Sequence, residues 1–157
     1  MLDFTSDDCE QLTRVFYTLK KLTKSLKEFC QKQQLLRLAY LDRGNPRVVP
    51  VWFVVVGPAY YVGTGVKSAK WKAIKRKPRI GWVIDGGEPN KYKGLSMFGS
   101  AEEVTDRKLR ARIYREFGKK YYGSADDPRH IEIWGEVDEP SSVFIRLKSD
   151  DGFWWEY

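Results

Sequence analysis

A chain of 157 residues, 42% hydrophobic and 31% charged, has the composition of one folded domain and not of a disordered protein. The net charge of +7 suits an acidic partner such as a phosphorylated small molecule, nucleic acid or a membrane surface, although most surface lysines are simply solvated. Two cysteines and a single histidine argue against a disulfide framework, a zinc site and a Ser-His-Asp triad.

The first predicted element is a helix over residues 6–33, either continuous or broken near Thr23. Ser6 or Asp7 can cap it, and apolar residues recur at helical spacing. We expect residues 1–33 to form a helical segment packed on a domain formed by residues 34–157. The apolar positions of the helix are Leu12, Val15, Phe16, Leu19, Leu22 and Leu26.

Strand-like patterns follow the helix. Residues 35–41, 47–56 and 59–64 alternate as strands, and turn residues separate them, which predicts an antiparallel meander. Pro50 lies inside the second strand and cannot donate to a ladder. It therefore marks an edge, a bulge or a place where the strand opens.

The second half of the chain continues as a mixture of strands and helices. Gly94 and Gly99 lie within one strand and indicate bends of the kind found in small barrels. Residues 122–140 are ambiguous, because residues 130–134 alternate as a strand could, but Asp127 followed by Pro128 favours a short helix. A closed or partly closed antiparallel barrel with flanking helices fits best. The predicted helices are 68–77 and 106–121, and the predicted strands are 79–85, 92–104, 142–148 and 152–157.

The joint between the third strand and the next helix gathers small, hydroxyl-bearing and cationic residues. Ser68 is the predicted N-cap, Thr64 ends the strand, and Lys70 is the second helical residue. Gly63 and Gly65 remove side-chain bulk where a ligand could approach. Hydroxyls, free amides and a lysine at a helix N-terminus favour a phosphate monoester. The alternative is that Ser68 is only a cap and the lysines are only solvated.

Five segments, in their order and spacing, resemble the FMN-binding split barrel of the pyridoxamine 5′-phosphate oxidase-like superfamily. The resemblance covers roughly residues 30–105 well and the remainder loosely. It implies a mainly β, antiparallel Greek-key split barrel of six to seven strands with flanking α-helices. It also implies a homodimer with cofactor sites at the interface. The segments are 47–53 (RVVPVWF), 60–64 (YYVGT), 68–70 (SAK), 77–80 (KPRI) and 97–104 (MFGSAEEV).

The same resemblance implies which residues bind the cofactor. The strand that begins at Arg47 lies along the flavin with its backbone amides, and Arg47 itself reaches the phosphate together with Ser68 and Lys70. Gly63 and Thr64 contact the ribityl-phosphate region. The full implied set is Arg47, Val48, Val49, Pro50, Val51, Trp52, Gly63, Thr64, Ser68, Ala69 and Lys70. No catalytic side chain and no metal ligand is implied.

Four departures from the family pattern argue against oxidation of vitamin B6. The oxidase has arginine at the position of Ala69, lysine at that of Trp52 and a flavin-contacting glutamine near that of Gly94. Residues 152–157 lack its substrate-binding arginine–histidine segment. Relatives bind a deazaflavin coenzyme or heme on the same barrel, so these remain alternatives to FMN.

These observations support three functional hypotheses. The first is a flavin-dependent oxidoreductase, in which the cofactor carries the chemistry. The second is a non-catalytic flavin or heme carrier or sensor. The third is a basic nucleic-acid-binding module, for which helix 106–121 supplies charge but no recognised reader motif.

Other residues have simpler interpretations. A lone His130 is expected to be at the surface or hydrogen-bonded, and Trp154 and Trp155 are expected to pack, with a place near the cofactor as the alternative. The acidic N-terminal residues and the lack of an apolar run of roughly 20 residues predict neither a secretion signal nor a membrane span. We therefore expect a soluble, cytoplasmic protein.

Overall fold

The computed structural model describes residues 16–18, as backbone only, and residues 23–156. The strands are β1 (Phe16–Thr18), β2 (Leu36–Asp42), β3 (Asn45–Val51), β4 (Phe53–Val56), β5 (Ala59–Gly65), β6 (Arg79–Gly86), β7 (Lys93–Glu103) and β8 (Ser142–Glu156). The helices are α1 (Lys24–Lys32), α2 (Ala69–Arg76), α3 (Arg107–Tyr122) and α4 (Pro128–Trp134).

All strand pairs are antiparallel and belong to one sheet, in the order β3-β2-β6-β7-β8-β5-β4, with β1 also paired to β8. The two ends of this order, β3 and β4, are consecutive pieces of chain separated only by Trp52. The sheet therefore curls until its ends meet at one residue. The predicted mainly β, antiparallel split barrel with flanking helices is confirmed.

The barrel splits at Trp52. Before this residue, β3 pairs with β2, and Pro50 lies opposite Arg37. After it, β4 pairs with β5, beginning with Phe53 opposite Val62. Pro50 thus lies on an edge strand, two residues before Trp52, where the strand changes neighbours, and this agrees with its inability to donate to a second ladder.

Short local signals shape the strand connections. Arg43 and Gly44 both have positive φ, 51° and 84°, and form the two-residue turn of the β2–β3 hairpin. The register of β7 against β8 shifts between Phe98 and Gly99. A Cβ at Gly99 would lie 1.8 Å from the Lys148 carbonyl oxygen, so the bulge requires glycine.

Two apolar clusters hold the elements together. One fills the barrel and includes Trp82 and Ile145, and α1 adds Leu26 and Cys30 to it. The second lies between the outer face of β4–β5–β8 and the helices α3 and α4, where Phe117 and Trp134 pack. Helices α3 and α4 therefore lie outside the barrel, whereas α1 contributes to its interior.

Four predicted elements require correction. Residues 16–18, predicted as helix, form strand β1 against Phe153–Trp155 of β8. The helix instead begins at Lys24 with Thr23 as its N-cap, and the remainder of residues 6–22 lies outside the described residues. The two predicted strands 142–148 and 152–157 are one strand, β8, because β7 pairs with it from Ile145 to Glu156, across the predicted gap, with a bulge at Asp150.

The predicted strand 47–56 is two strands, β3 and β4, which are separated by Trp52 and pair with different neighbours. The remaining predicted elements are confirmed with small shifts in their ends. The ambiguous region contains the short helix α4, with Asp127 as N-cap and Pro128 in its first turn. Among the described residues, no helix is long and apolar enough to cross a membrane.

Candidate cofactor site

The predicted phosphate corner forms where β5 passes into α2. Ser68 is the N-cap of α2, and its hydroxyl accepts a hydrogen bond from the Trp71 amide at 3.2 Å. The Thr64 hydroxyl donates to the Ser68 oxygen at 3.0 Å, and the Lys70 ammonium donates to the Thr64 oxygen at 2.9 Å. The three side chains that sequence reasoning assigned to one point are therefore in contact.

The corner has more hydrogen-bond donors than acceptors. The Ser68 oxygen already accepts two bonds, and its own proton has no acceptor among the described residues. The backbone amides of Ala69 and Lys70 have none there either, and the Lys70 ammonium uses one of its three protons. Phosphate oxygens are acceptors only, so the residues present fit a phosphate group.

The electrostatics of the corner favour an anion. Burial lowers the pKa of Lys70, so its charge lacks part of the hydration that it would have in water. Arg76 pairs with Asp42 at 2.9 Å, and Arg79 pairs with Asp150. The remaining cations of segment 67–79 form no ion pair with any described residue: Lys67, Lys70, Lys72, Lys75 and Lys77.

The predicted flavin strand is an edge strand with an exposed face. Val49 and Val51 turn towards the barrel core, whereas Val48 is 65% exposed and Pro50 is exposed. Arg47 is also exposed, and no described contact joins it to the Thr64–Ser68–Lys70 corner. Among the described strands β3 pairs only with β2, so its other edge presents backbone groups that no described strand pairs with.

Trp52 contacts helix α3. Its ring stacks on Tyr121 with centroids 4.4 Å apart and planes 9° apart, and it meets the edge of Tyr122 at 5.9 Å. Its side chain therefore helps to anchor α3. A contact between Trp52 and a cofactor would have to use its backbone or the remaining exposed part of its ring.

Helix α3 also binds the backbone at the split, a contact that sequence reasoning missed. The Tyr121 hydroxyl accepts from the Phe53 amide at 2.8 Å and lies within hydrogen-bond distance of two carbonyls, those of Gln34 and Phe53. The Lys120 ammonium donates to the Phe53 carbonyl at 2.9 Å. These side chains bond the backbone amide and carbonyl of Phe53 in place of a neighbouring strand. No local sequence pattern signals such a contact.

The structure shows that packing of Trp134, a contact not predicted from the sequence, requires glycine at position 63. A Cβ at Gly63 would lie 2.4 Å from the Trp134 ring, whereas one at Gly65 would meet only the Ser141 carbonyl at 3.7 Å. Gly63 is therefore small because α4 packs on it. Gly65 is exposed and leaves space beside the corner.

Two positions that differ from the oxidase pattern have clear surroundings. Ala69 is exposed in the first turn of α2 and offers no second cation beside Lys70. Gly94 lies opposite Trp155, and a Cβ there would meet the Trp155 ring at 2.6 Å and the Ile84 carbonyl at 2.7 Å. A longer side chain at position 94 would displace Trp155. Trp154 packs in the barrel core, as the packing interpretation predicted.

His130 is buried against Tyr114, a member of the second apolar cluster, and does not lie at the surface. It is fully buried, and its Nε2–H donates to the Tyr114 carbonyl at 3.0 Å, while Nδ1 has no partner. Burial lowers its pKa. Over the described residues, no group of histidine, cysteine and carboxylate side chains could hold a metal ion.

Comparison with known proteins identifies relatives of this fold. The family model described as pyridoxamine 5′-phosphate oxidase matches residues 22–154. The sequence matches no curated protein. A conserved hypothetical protein of Mycobacterium tuberculosis has a similar structure, with a TM-score of 0.74, 20% identity, and coverage of 87% of this chain and 86% of that one.

Two similar structures carry cofactor names. An FAD-binding protein of Mesorhizobium loti has a TM-score of 0.67 at 21% identity, and the match covers 90% of this chain and 98% of that one. A heme storage protein of Vibrio cholerae has a TM-score of 0.68 at 21% identity, and the match covers 87% of this chain and 95% of that one. At these identities, the likeness shows a common fold.

Proposed function

Because the chain belongs to the pyridoxamine 5′-phosphate oxidase family, we propose that it binds FMN and acts as a flavin-dependent oxidoreductase. The observation that carries the proposal is the donor-rich corner, where Thr64, Ser68 and Lys70 converge at the N-terminus of α2. A phosphate there would accept bonds from the Ser68 hydroxyl, the Lys70 ammonium and the free amides of the first helical turn.

The remainder of the cofactor would extend from the corner towards the split in the barrel. There, β3 offers an unpaired backbone edge from Arg47 to Val51, which suits a planar ring with several hydrogen-bonding atoms. Bound FMN would supply hydride or electron transfer. The chain would hold the phosphate, orient the ring and exclude water from one of its faces.

We propose a homodimer with the cofactor sites at the interface. The outer face of β3 bears a strongly exposed valine, Val48, and an exposed proline, Pro50, next to the predicted site. An apolar face beside an open strand edge is a surface that a second copy would cover.

The substrate is proposed to differ from vitamin B6. Ala69 provides no second phosphate-binding cation, and Trp155 occupies the space that a side chain at position 94 would need. A heme carrier is the alternative suggested by the heme storage relative. Iron ligation by His130 would require α4 to leave its place, because the imidazole is buried and bonded to Tyr114.

The absorption spectrum of the purified protein tests the class of cofactor. Oxidised FMN gives a band at about 450 nm, whereas heme gives a strong band at shorter wavelength. A colourless protein that fails to bind added FMN, but binds oligonucleotide with steep salt dependence, would support the nucleic-acid hypothesis instead. Reduction of bound flavin by a nicotinamide donor would then separate an enzyme from a carrier.

Substitution of Lys70 by alanine tests the corner itself. We expect FMN dissociation constants to rise about 10- to 100-fold, since a charge-assisted bond contributes about 1.5–3 kcal/mol. Lys72→Ala is the matched control, because Lys72 is exposed on the same helix. Flavin fluorescence titration measures both variants, and equal affinities would reject the assigned phosphate site.

A further inference from the structure

Lys120, near the end of α3, has an unusual environment for a lysine. Its Nζ lies 3.6 Å from the ring centroid of Phe53, a fully buried residue, and donates to the Phe53 carbonyl at 2.9 Å. The ammonium is thus held against an apolar surface at the barrel split, while the preceding residue, Lys119, extends into solvent.

No carboxylate of the described residues neutralises Lys120. The nearest acid on the same helix, Glu116, instead pairs with Lys119 at 3.2 Å. Helix α1 contributes the uncharged Gln31, and strand β4 contributes Val54 and Val55. The Tyr121 hydroxyl bonds the same Phe53 carbonyl, and burial raises its pKa to about 12, so it stays neutral.

The surroundings of Lys120 favour the neutral amine relative to an exposed lysine. The ring and the carbonyl stabilise the ammonium, but burial without a counter-ion acts in the opposite direction and lowers the pKa of Lys120 to about 8. An amine in such a setting has its lone pair available near neutral pH, which is the condition for lysines that attack carbonyl compounds.

Lys120 also has a place for a reagent. It lines a cleft of about 400 Å³, formed by α3, β4 and α1, together with Gln31, Val55 and Glu116. The cleft has both polar and apolar walls and offers room for a molecule of a few heavy atoms. Lys119 borders the same cleft, so both amines meet the same local concentration of reagent.

We propose that Lys120 is a modification site at which small aldehydes condense to a Schiff base. The neutral amine attacks the aldehyde carbon and forms a C–N bond. Loss of the carbonyl oxygen as water, with both protons from the amine nitrogen, leaves a neutral imine that can take up a proton. Nothing is oxidised or reduced, and no further reactant is needed.

The adduct would change the contact at the split. The ammonium now bonds the Phe53 carbonyl, beside the residue at which β3 and β4 separate. A bulkier imine nitrogen would keep at most one proton for that bond. Aldehyde modification would therefore loosen the attachment of α3 to the strand break.

Competition between adjacent lysines tests the proposal. The protein is treated with propanal and cyanoborohydride, which reduces the imine to a stable N-propyl-lysine, and is then digested and analysed by mass spectrometry. At about pH 7.5, we expect Lys120 to be modified about tenfold or more faster than Lys119, and the two rates to converge towards about pH 10.5.

Two variants test whether the rate difference arises at Lys120 itself. Glu116→Gln removes the ion pair of Lys119, and the preference for Lys120 should persist in it. Lys120→Arg should remove the fast site while circular dichroism shows a folded protein. Equal rates at Lys119 and Lys120, or slower modification of Lys120 at every pH, would overturn the proposal.

Discussion

Gly63 and Thr64 are neighbours on β5 whose side-chain positions face opposite sides of the strand. The Thr64 hydroxyl bonds Ser68 and Lys70 at the corner, whereas the Gly63 position is filled by Trp134 from α4. The docking of α4 and the geometry of the candidate phosphate site therefore depend on adjacent residues of one strand.

Gly63→Ala is expected to destabilise the protein. The new Cβ would lie 2.4 Å from a Trp134 ring that is itself packed against Phe117 and Phe144, so the ring has little room to move. Overpacking of this kind costs about 1–3 kcal/mol. Urea unfolding measures the loss.

Gly65→Ala is the control for that substitution. Its Cβ would make only an ordinary contact with the Ser141 carbonyl, at 3.7 Å, and we expect a change below about 0.5 kcal/mol. Equal losses in the two variants would show that strand propensity, and not the Trp134 contact, decides the effect.

The residues that could be predicted are those whose role depends on near neighbours in the chain. Ser68 as N-cap, Thr64 at the strand end and Lys70 beside them follow from local rules of helix capping. The role of Gly63 could not be predicted, because Trp134 is distant in sequence and only the fold brings it there.

Helix α4 shows how one short element is held in place. Asp127 caps it, accepting from the Arg129 amide at 2.9 Å and pairing with the Arg129 guanidinium at 2.8 Å. On the opposite side, His130 is buried and donates to the Tyr114 carbonyl. A neutral imidazole fits this place, whereas a charged one would have an unpaired N–H on Nδ1.

Stability is therefore expected to fall in mild acid. Burial lowers the pKa of His130 in the folded state below its ordinary 6.5, so the unfolded chain binds the proton more tightly. The contribution of the neutral His130 to the free energy of unfolding is complete above about pH 6.5. It is lost as the pH falls below this value, with a slope of at most about 1.4 kcal/mol per pH unit.

His130→Gln isolates this effect, because glutamine keeps a donor for the Tyr114 carbonyl but does not titrate. The free energy of unfolding, measured between about pH 7 and pH 5, should lose its slope in the variant. The pKa of Asp127 is lowered to about 2. Its carboxyl is therefore ionised throughout this pH range and contributes no slope there. A slope unchanged by the substitution would assign the titration to another group.

At the level of elements, the sequence predicts local pieces better than their pairing. Residues 16–18 fall within an apolar stripe of helical spacing, yet they form β1 because Phe153–Trp155 offers an open strand edge. Asp150, Asp151 and Gly152 are typical turn residues, yet β8 continues through them, with Asp150 as the extra residue of a bulge opposite Phe98 and Gly99 of β7. Both outcomes depend on partners far away in the chain.

At the scale of the whole molecule, the exposed outer face of β3 is the feature that the monomer leaves unexplained. Val48 is 65% exposed on an edge strand with unpaired backbone groups. In the proposed homodimer, a second copy would cover this face. A charge introduced there would then have to be buried without a partner.

Val48→Lys is therefore expected to weaken the dimer, so that sedimentation detects monomer at micromolar concentrations where the parent protein is dimeric. Ile133→Lys is the matched control, since Ile133 is an aliphatic residue 58% exposed on α4, an element outside the β2–β3 hairpin. A parent protein that sediments as a monomer would reject the homodimer, and dissociation by both variants would reject this interface.

The order of synthesis has a consequence for this topology. The last strand, β8, is the member that joins β7 to β5 and also binds β1. Until it leaves the ribosome, the other described strands can form two separate sheets, β3-β2-β6-β7 and β5-β4, each with an open inner edge. Delayed or truncated translation would leave both edges available to other chains, and these intermediates would be candidates for aggregation or chaperone binding.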